Sequence, residues 1–247
     1  MEPVRPRASD GVHTRLYIML VLLAALGGYA YTLRSDALFS CPATGYGEDR
    51  YLAYCHAAQY GDYDHGAFWF SLEPEIRDYV RRAQVLFLGN SRVQFGFSGS
   101  TTRERMGGFS ASYFLMGFAY WENYTFERAL LAQIRPQARL YVINMDDFFD
   151  TKQTEVAKAV MQNDDLLGHY RIKRLWQRPH RWLCGSWSRL CGGNEAFFRS
   201  LTSGDYERFA DKSDRVPVAY DDVVDAKVVA DYAPRATQFF SELPVDR

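Results

Sequence analysis

Residues 85–98 read VLFLGNSRVQFGFS, and this stretch decides the predicted fold. Its first four residues are apolar without interruption and Gly89 ends the run, a pattern typical of a strand buried on both faces of a parallel sheet. Similar apolar runs occur at residues 113–118 and 140–143, and a predicted helix over residues 124–134 lies between them. Strand, helix and strand in this order imply right-handed crossovers. The sequence therefore predicts an α/β fold with a parallel sheet.

The carboxyl ends of these strands carry the candidate reactive residues, because parallel sheets place such residues just beyond the strand ends. Ser91 follows the first strand, Gly117 ends the second, and Asp146 follows the third. A serine in a Gly-x-Ser turn at the start of a helix exposes its hydroxyl near backbone amides that can hold a developing oxyanion. The same position suits an ordinary helix N-cap. The spacing leaves a nucleophile and a cap as alternatives for Ser91.

Residues 85–98 resemble the first block of the SGNH (GDSL-like) hydrolase superfamily, and they are most similar to its membrane-anchored bacterial envelope members with a Gly-x-Ser-Arg sequence. The resemblance covers residues 83–150. It implies a flavodoxin-like parallel sheet, with Ser91 as the nucleophile and the Ser91 amide in the oxyanion hole. Gly117 resembles the glycine of the second block and would give another oxyanion amide. Asp146 stands where the family usually has the asparagine of Asn-Asp.

The resemblance also implies an activity and a location. Family members of this type act on O-acyl esters of a surface polysaccharide or lipid, as esterases or acyltransferases. The expected location is the bacterial inner membrane, with the bulk of the chain in the periplasm. The partners that follow are the lipid bilayer and an acylated polysaccharide.

Two departures from the family pattern favour the alternative of a catalytically inactive envelope protein that binds a glycan or a partner. Asp146 replaces an amide that would donate to the oxyanion, and an ionised carboxylate there would repel negative charge. The family base lies in a C-terminal Asp-x-x-His, whereas neither His169 nor His180 follows an aspartate at that spacing. One Asp-x-x-His does occur, from Asp62 to His65. It precedes the serine, so we expect a structural histidine more than a catalytic base.

The C-terminal part of the chain contains fewer predicted strands than a doubly wound domain normally has. Residues 239–244 resemble a helix end that comes just before another strand. We therefore expect the parallel sheet to be incomplete and the α/β domain to be truncated.

Residues 16–33, LYIMLVLLAALGGYAYTL, carry no charge and would span about 27 Å as a helix, enough to cross a bilayer. Three arginines precede the segment and acidic residues follow it, so the positive-inside rule places the N-terminus in the cytoplasm. A cleaved signal peptide ending near Ala30 is the alternative. With either a transmembrane helix or a cleaved signal peptide, the rest of the chain is exported. The predicted organisation is a cytoplasmic tail, a transmembrane helix, an extracytoplasmic lead-in and an α/β domain, at residues 1–15, 16–33, 34–82 and 83–247.

All four cysteines follow the apolar segment, in a compartment where thiols oxidise. Cys41 with Cys55, and Cys184 with Cys191, would each close a short loop. The sequence does not fix this pairing, and unpaired buried thiols are the alternative.

Composition excludes several functional classes. The 29 lysines and arginines balance 30 acidic residues, so the chain has no general basic signal for nucleic acid. It contains no Cys-x-x-Cys, no His-Glu-x-x-His and no glycine-rich phosphate loop, and we expect no metal or cofactor. Residues 168–191 stand out, because they hold six basic residues and three tryptophans without an acid. They predict either a face for anionic headgroups or a polyanionic glycan, or a solvated helix with buried tryptophans.

Overall fold

The computed structural model describes residues 8–97, 99–118, 122–149, 153–209 and 226–242. Its helices are α1 (Ala8–Asp36), α2 (Asp64–Trp69), α3 (Pro74–Arg82), α4 (Ser91–Gly96), α5 (Gly99–Gly108), α6 (Tyr124–Ile134), α7 (Glu155–Gln162), α8 (Leu166–Ser186) and α9 (Ala226–Glu242). Its strands are β1 (Arg50–Cys55), β2 (Gly61–Asp62), β3 (Val85–Gly89), β4 (Tyr113–Gly117), β5 (Leu140–Ile143), β6 (Ala196–Ser200) and β7 (Tyr206–Phe209). Short 3-10 turns lie at Leu38–Ser40, Asp147–Phe149 and Ser188–Leu190.

Strands β3, β4 and β5 form a parallel sheet with the order β4-β3-β5. The predicted α/β fold with a parallel sheet is therefore confirmed. Strand β3 is central, and its last residue Gly89 pairs in register with Gly117. Its side chains alternate between two apolar clusters, with Leu86 and Leu88 in the larger one and Phe87 in the smaller one. Burial on both faces explains why this strand has an uninterrupted apolar sequence.

A second sheet is antiparallel and has the order β2-β1-β6-β7. Strand β1 comes from the predicted lead-in, yet it pairs with β6, and Arg50 lies opposite Ser200. Residues before and after the parallel strands thus build one sheet together. Side chains of β1 and β6, including Leu52 and Phe198, belong to the same core cluster as Leu86 and Leu88 of β3.

Both expected disulfides are present, one joining Cys41 to Cys55 and the other joining Cys184 to Cys191. The first ties the segment before β1 to the last residue of that strand. The second ties the end of α8 to the segment that leads into β6. Each closes a short loop, and together they stabilise the connections around the antiparallel sheet by restricting the unfolded chain.

Helix α1 is continuous from Ala8 to Asp36, and its large apolar side chains from Leu16 to Leu26 are exposed. Within the described residues, no helix combines the length and the apolar character that crossing a membrane requires. The transmembrane segment at residues 16–33 stays a prediction.

Candidate functional site

The turn after β3 presents Ser91 as the first residue of α4. Asn90 is the N-cap of this helix, because its side-chain oxygen accepts a hydrogen bond from the Arg92 amide at 3.0 Å. Ser91 is therefore not the cap that its position allowed. Its side chain is half-exposed, and its hydroxyl makes no hydrogen bond to any described residue. The serine is thus free to meet a ligand at the carboxyl end of the central strand.

Asp146, which follows β5, is buried and holds the Ser91 turn in place. Its carboxylate accepts hydrogen bonds from the Asn90 side-chain amide at 3.1 and 3.2 Å and from the Phe148 backbone amide at 2.9 Å. The Arg92 guanidinium forms an ion pair with it at 2.5 Å. The negative charge that the sequence placed near the oxyanion is therefore paired with Arg92. A carboxylate in this arrangement positions the turn and has no proton to donate to an oxyanion.

Gly117 lies against the first turn of α4. A Cβ atom at this position would overlap the backbone of Val93 and Gln94, so only glycine allows the end of β4 to pack so closely on the helix. The next residue, Phe118, donates its amide hydrogen to the Gly89 carbonyl at 3.1 Å. The structure thus brings Gly117, Asp146 and the turn of Ser91 to one edge of the parallel sheet.

Asp62 and His65 of the Asp-x-x-His sequence contact each other, and a second carboxylate also contacts the imidazole of His65. His65 Nδ1 lies 3.1 Å from Asp62 Oδ2, and His65 Nε2 lies 2.9 Å from Glu122 Oε2. Burial alone would lower the pKa of His65, yet the two carboxylates outweigh it and raise that pKa to about 10. An imidazolium that donates both protons to carboxylates has no lone pair with which to deprotonate Ser91.

The later histidines do not contact Ser91 either. His180 is buried, with Nε2 3.0 Å from the Cys41 carbonyl and Nδ1 3.1 Å from the Tyr46 hydroxyl, and burial lowers its pKa to about 4. One of its ring nitrogens lies within 4.8 Å of the sulfurs of Cys184 and Cys191. These sulfurs are joined in a disulfide, so they are not the thiolates that a metal site needs.

Glu127 supports the Ser91 turn through the backbone of Gly89, and no sequence motif predicted this role. Its Oε1 accepts a hydrogen bond from the Gly89 amide at 3.0 Å, and burial raises its pKa well above the usual range. The sequence pattern could have predicted it. Glu127 lies three and four residues before Leu130 and Leu131, which places it on the buried face of α6. A carboxyl group on an apolar helix face requires a partner, and here that partner is the backbone of the turn.

A cavity of about 420 Å³ lies between β3 and α5 and begins at the last residue of α4. Its lining is largely apolar and consists of Phe87, Gly96, Phe97, Thr101, Thr102, Arg105 and Met106. Ser91 and Gly96 are five positions apart on α4, which is about 7.5 Å along the axis. An acyl chain or another small apolar group would fit this space.

The described residues therefore supply a free serine hydroxyl at a helix start, backbone amides nearby and an apolar cavity. Acyl transfer through a serine needs the free hydroxyl, amide donors for the oxyanion and also a proton acceptor. No described histidine hydrogen-bonds to Ser91. No protein-family model, no curated protein and no solved structure matches this chain.

Proposed function

We propose that this chain is an exported, membrane-anchored protein of the SGNH type that performs acyl-ester chemistry through Ser91. It acts as an esterase or O-acyltransferase on acylated envelope polysaccharide or lipid. The observation that carries the proposal is the placement of Ser91, directly after the central parallel strand, with a half-exposed hydroxyl that caps nothing.

The strand order supports this reading. The order β4-β3-β5 matches the first three strands of a flavodoxin-like sheet, in which ligands bind where the connections diverge. That point lies between the carboxyl ends of β3 and β5. Ser91 and Asp146 follow these two ends, and Asn90 and Arg92 join them by contacts to the Asp146 carboxylate.

The exported, anchored location rests on two further features. The apolar side chains on α1 from Leu16 to Leu26 are exposed, and exposed apolar surface of this extent favours a lipid or protein environment. Two disulfides favour an oxidising compartment.

In the proposed reaction, Ser91 Oγ attacks the acyl carbonyl carbon, its hydroxyl proton passes through solvent water to the ester oxygen, and the alcohol of the ester leaves. The amides of Ser91 and Gly117 hold the oxyanion while the tetrahedral intermediate forms. Water or a sugar hydroxyl then takes the acyl group and restores the serine. Asn90, Asp146 and Glu127 keep the turn in position.

A non-catalytic protein that binds a glycan or a partner is the second candidate, and the histidines favour it. His65 and His180 use their ring nitrogens in other contacts, and Asp146 offers no amide to an oxyanion. The fold alone does not decide between these candidates.

Labelling of the full chain with a fluorophosphonate separates the two candidates, because only an activated serine reacts. We expect the label to be found on Ser91 by peptide mass spectrometry and to disappear in Ser91→Ala. The matched control is Ser186→Ala, which removes another exposed serine at the end of α8 and is expected to retain the label. A folded wild-type chain that takes up no label would contradict the esterase proposal and favour the binding candidate.

A further inference from the structure

Helix α8 has an exposed face on the side opposite its buried residues. The buried residues of this helix are Tyr170, Gln177, His180 and Cys184. At 100° per residue, the centre of the opposite face is formed by residues spaced by four, three and four positions. We name this face the α8 stripe, and it consists of Arg171, Leu175, Arg178 and Trp182.

The apolar members of the α8 stripe are unusually exposed for a helix that packs on a protein core. Leu175 and Trp182 are each 66% exposed, and Ile172 beside them is also exposed. Trp187 continues the apolar surface beyond the helix, because its ring meets that of Trp182 edge to face at 6.2 Å. The tryptophans of this segment are therefore not core residues, and the solvated-helix prediction with buried tryptophans is not what the structure shows.

The arginines of the α8 stripe have no counter-ion among the described residues. Arg171 and Arg178 make no ion pair and no hydrogen bond with any of them. Two other basic residues of α8 already have partners within the protein. Arg174 pairs with Glu73, and Lys173 donates to the Asp62 carbonyl and lies over aromatic rings. The stripe thus presents unpaired guanidinium groups beside exposed aliphatic and indole side chains.

Helix α8 packs near the carboxyl end of α1, through residues that lie outside the α8 stripe. The Leu38–Ser40 turn begins two residues after α1 ends, a distance of at most about 7 Å of chain. Phe39 in this turn has its ring centre 6.3 Å from that of Trp176 and 5.5 Å from that of His180. If α1 crosses a bilayer, as in the proposed function, α8 therefore lies close to the point where α1 leaves the membrane.

We propose that the α8 stripe, together with Trp187, docks on the anionic phospholipid surface of the membrane that holds α1. Guanidinium groups pair with lipid phosphates, and indole rings are most stable at the boundary between headgroups and acyl chains. The alternation of arginine with leucine and tryptophan supplies both kinds of contact on one face. Docking would fix the orientation of the α/β fold and hold Ser91 at a set height above the bilayer. The inference rests on the proposed anchor and not on the chemistry of Ser91.

Tryptophan quenching by lipids tests the docking directly. The full chain is reconstituted into vesicles of phosphatidylcholine with phosphatidylglycerol, in which the acyl chains are brominated near the headgroup. We expect strong quenching of tryptophan emission in the wild type and a loss of much of that quenching in Trp182→Phe. The control Trp69→Phe changes a half-buried tryptophan that stacks on Phe126, and we expect it to retain the quenching. Equal quenching in the two variants would overturn the docking.

Charge reversal gives a second measurement on the same vesicles. The variant Arg171→Glu/Arg178→Glu is expected to lower the ratio of docked to undocked protein by at least about 25-fold, at roughly five-fold for each arginine near an anionic surface. The control Arg135→Glu/Arg139→Glu changes the net charge equally on another exposed surface and is expected to leave the ratio unchanged. A ratio that falls equally in both variants would overturn the docking, as would binding of a polyanionic glycan without lipid quenching.

Extraction with alkaline carbonate separates this inference from the proposed anchor. Protein that stays with the vesicles but shows no quenching would refute the docking and leave the anchor intact. Extracted protein would refute the anchor, and sedimentation of the full chain with the same anionic vesicles at neutral pH would then decide the docking. Sedimentation that Arg171→Glu/Arg178→Glu abolishes would support it, and sedimentation that this variant leaves unchanged would overturn it.

Discussion

Replacing Arg199 with methionine is expected to lower the free energy of unfolding by about 3–5 kcal/mol, because the change leaves a buried charge without its partner. Arg199 lies on β6 and is fully buried. It donates to Asp64 Oδ2 at 2.6 Å and to the Leu115 carbonyl on β4, while the Tyr51 hydroxyl donates to the other oxygen of Asp64. The guanidinium also lies 4.6 Å from the ring centre of Phe68. This one side chain connects the antiparallel sheet to the parallel sheet.

Chemical unfolding followed by far-ultraviolet circular dichroism measures this effect. The control is Arg208→Met on neighbouring β7, which breaks a largely exposed ion pair with Glu195 and is expected to cost less than about 1 kcal/mol. Adding Asp64→Asn to Arg199→Met removes the unpaired charge and is expected to recover part of the loss. Equal stability of Arg199→Met and Arg208→Met would contradict this account of the core.

Replacing His65 with glutamine is expected to lower the free energy of unfolding by about 3–5 kcal/mol at pH 6, because His65 is the cation between the buried carboxylate of Glu122 and the partly buried carboxylate of Asp62. Its pKa of about 10 in the folded chain lies above the ordinary value of 6.5. Its contribution is therefore fully present below pH 6.5 and is lost as the pH rises through about 10. We expect the difference in stability between wild type and variant to shrink across this range.

Unfolding measured from pH 6 to pH 10 in both proteins checks this prediction. Wild type and variant are compared because Lys173 adds a pH dependence of its own. Burial lowers the pKa of Lys173 to about 8, so its effect raises the free energy of unfolding as the pH rises above 8, whereas the effect of His65 lowers it. The control His56→Gln changes an exposed histidine and is expected to alter stability little. A constant difference between wild type and His65→Gln would show that His65 is neutral in the folded chain.

Local signals predicted the parallel sheet well. An uninterrupted apolar run is typical of strands covered on both faces, and β3 and β4 are such strands. The run at residues 140–143 correctly predicted a parallel strand, but β5 lies at the edge of the sheet, where its residues are only partly buried and Leu140 is exposed. The helix start at Asn123 was also predictable, since its side chain accepts a hydrogen bond from the Thr125 amide, as expected of a cap. The two disulfides close loops of 14 and 7 residues, and short loops are the pairings that sequence favours.

Long-range pairings were not predictable. Strand β1 pairs with β6, and β2 is only two residues long, so neither the pairing nor the short strand leaves a local pattern. Asp62 and His65 are three residues apart, so their contact is local, whereas Glu122 reaches the same imidazole from a distant part of the chain. The N-cap of α4 was not predictable from the sequence for a different reason. Asparagine and serine are both good N-caps, and only the backbone geometry selects Asn90.

Trapping an acyl group on Ser91 tests most directly the claim that this chain performs acyl-ester chemistry through Ser91. Esterases and acyltransferases both form an acyl-enzyme, and this step can be observed before the natural acceptor is known. The full chain is exposed briefly to p-nitrophenyl acetate, quenched in acid and analysed by peptide mass spectrometry. We predict an added acetyl group on Ser91 in the wild type and in Ser186→Ala, and none on that peptide in Ser91→Ala. A folded wild-type chain with no acetyl group on Ser91 would contradict the account.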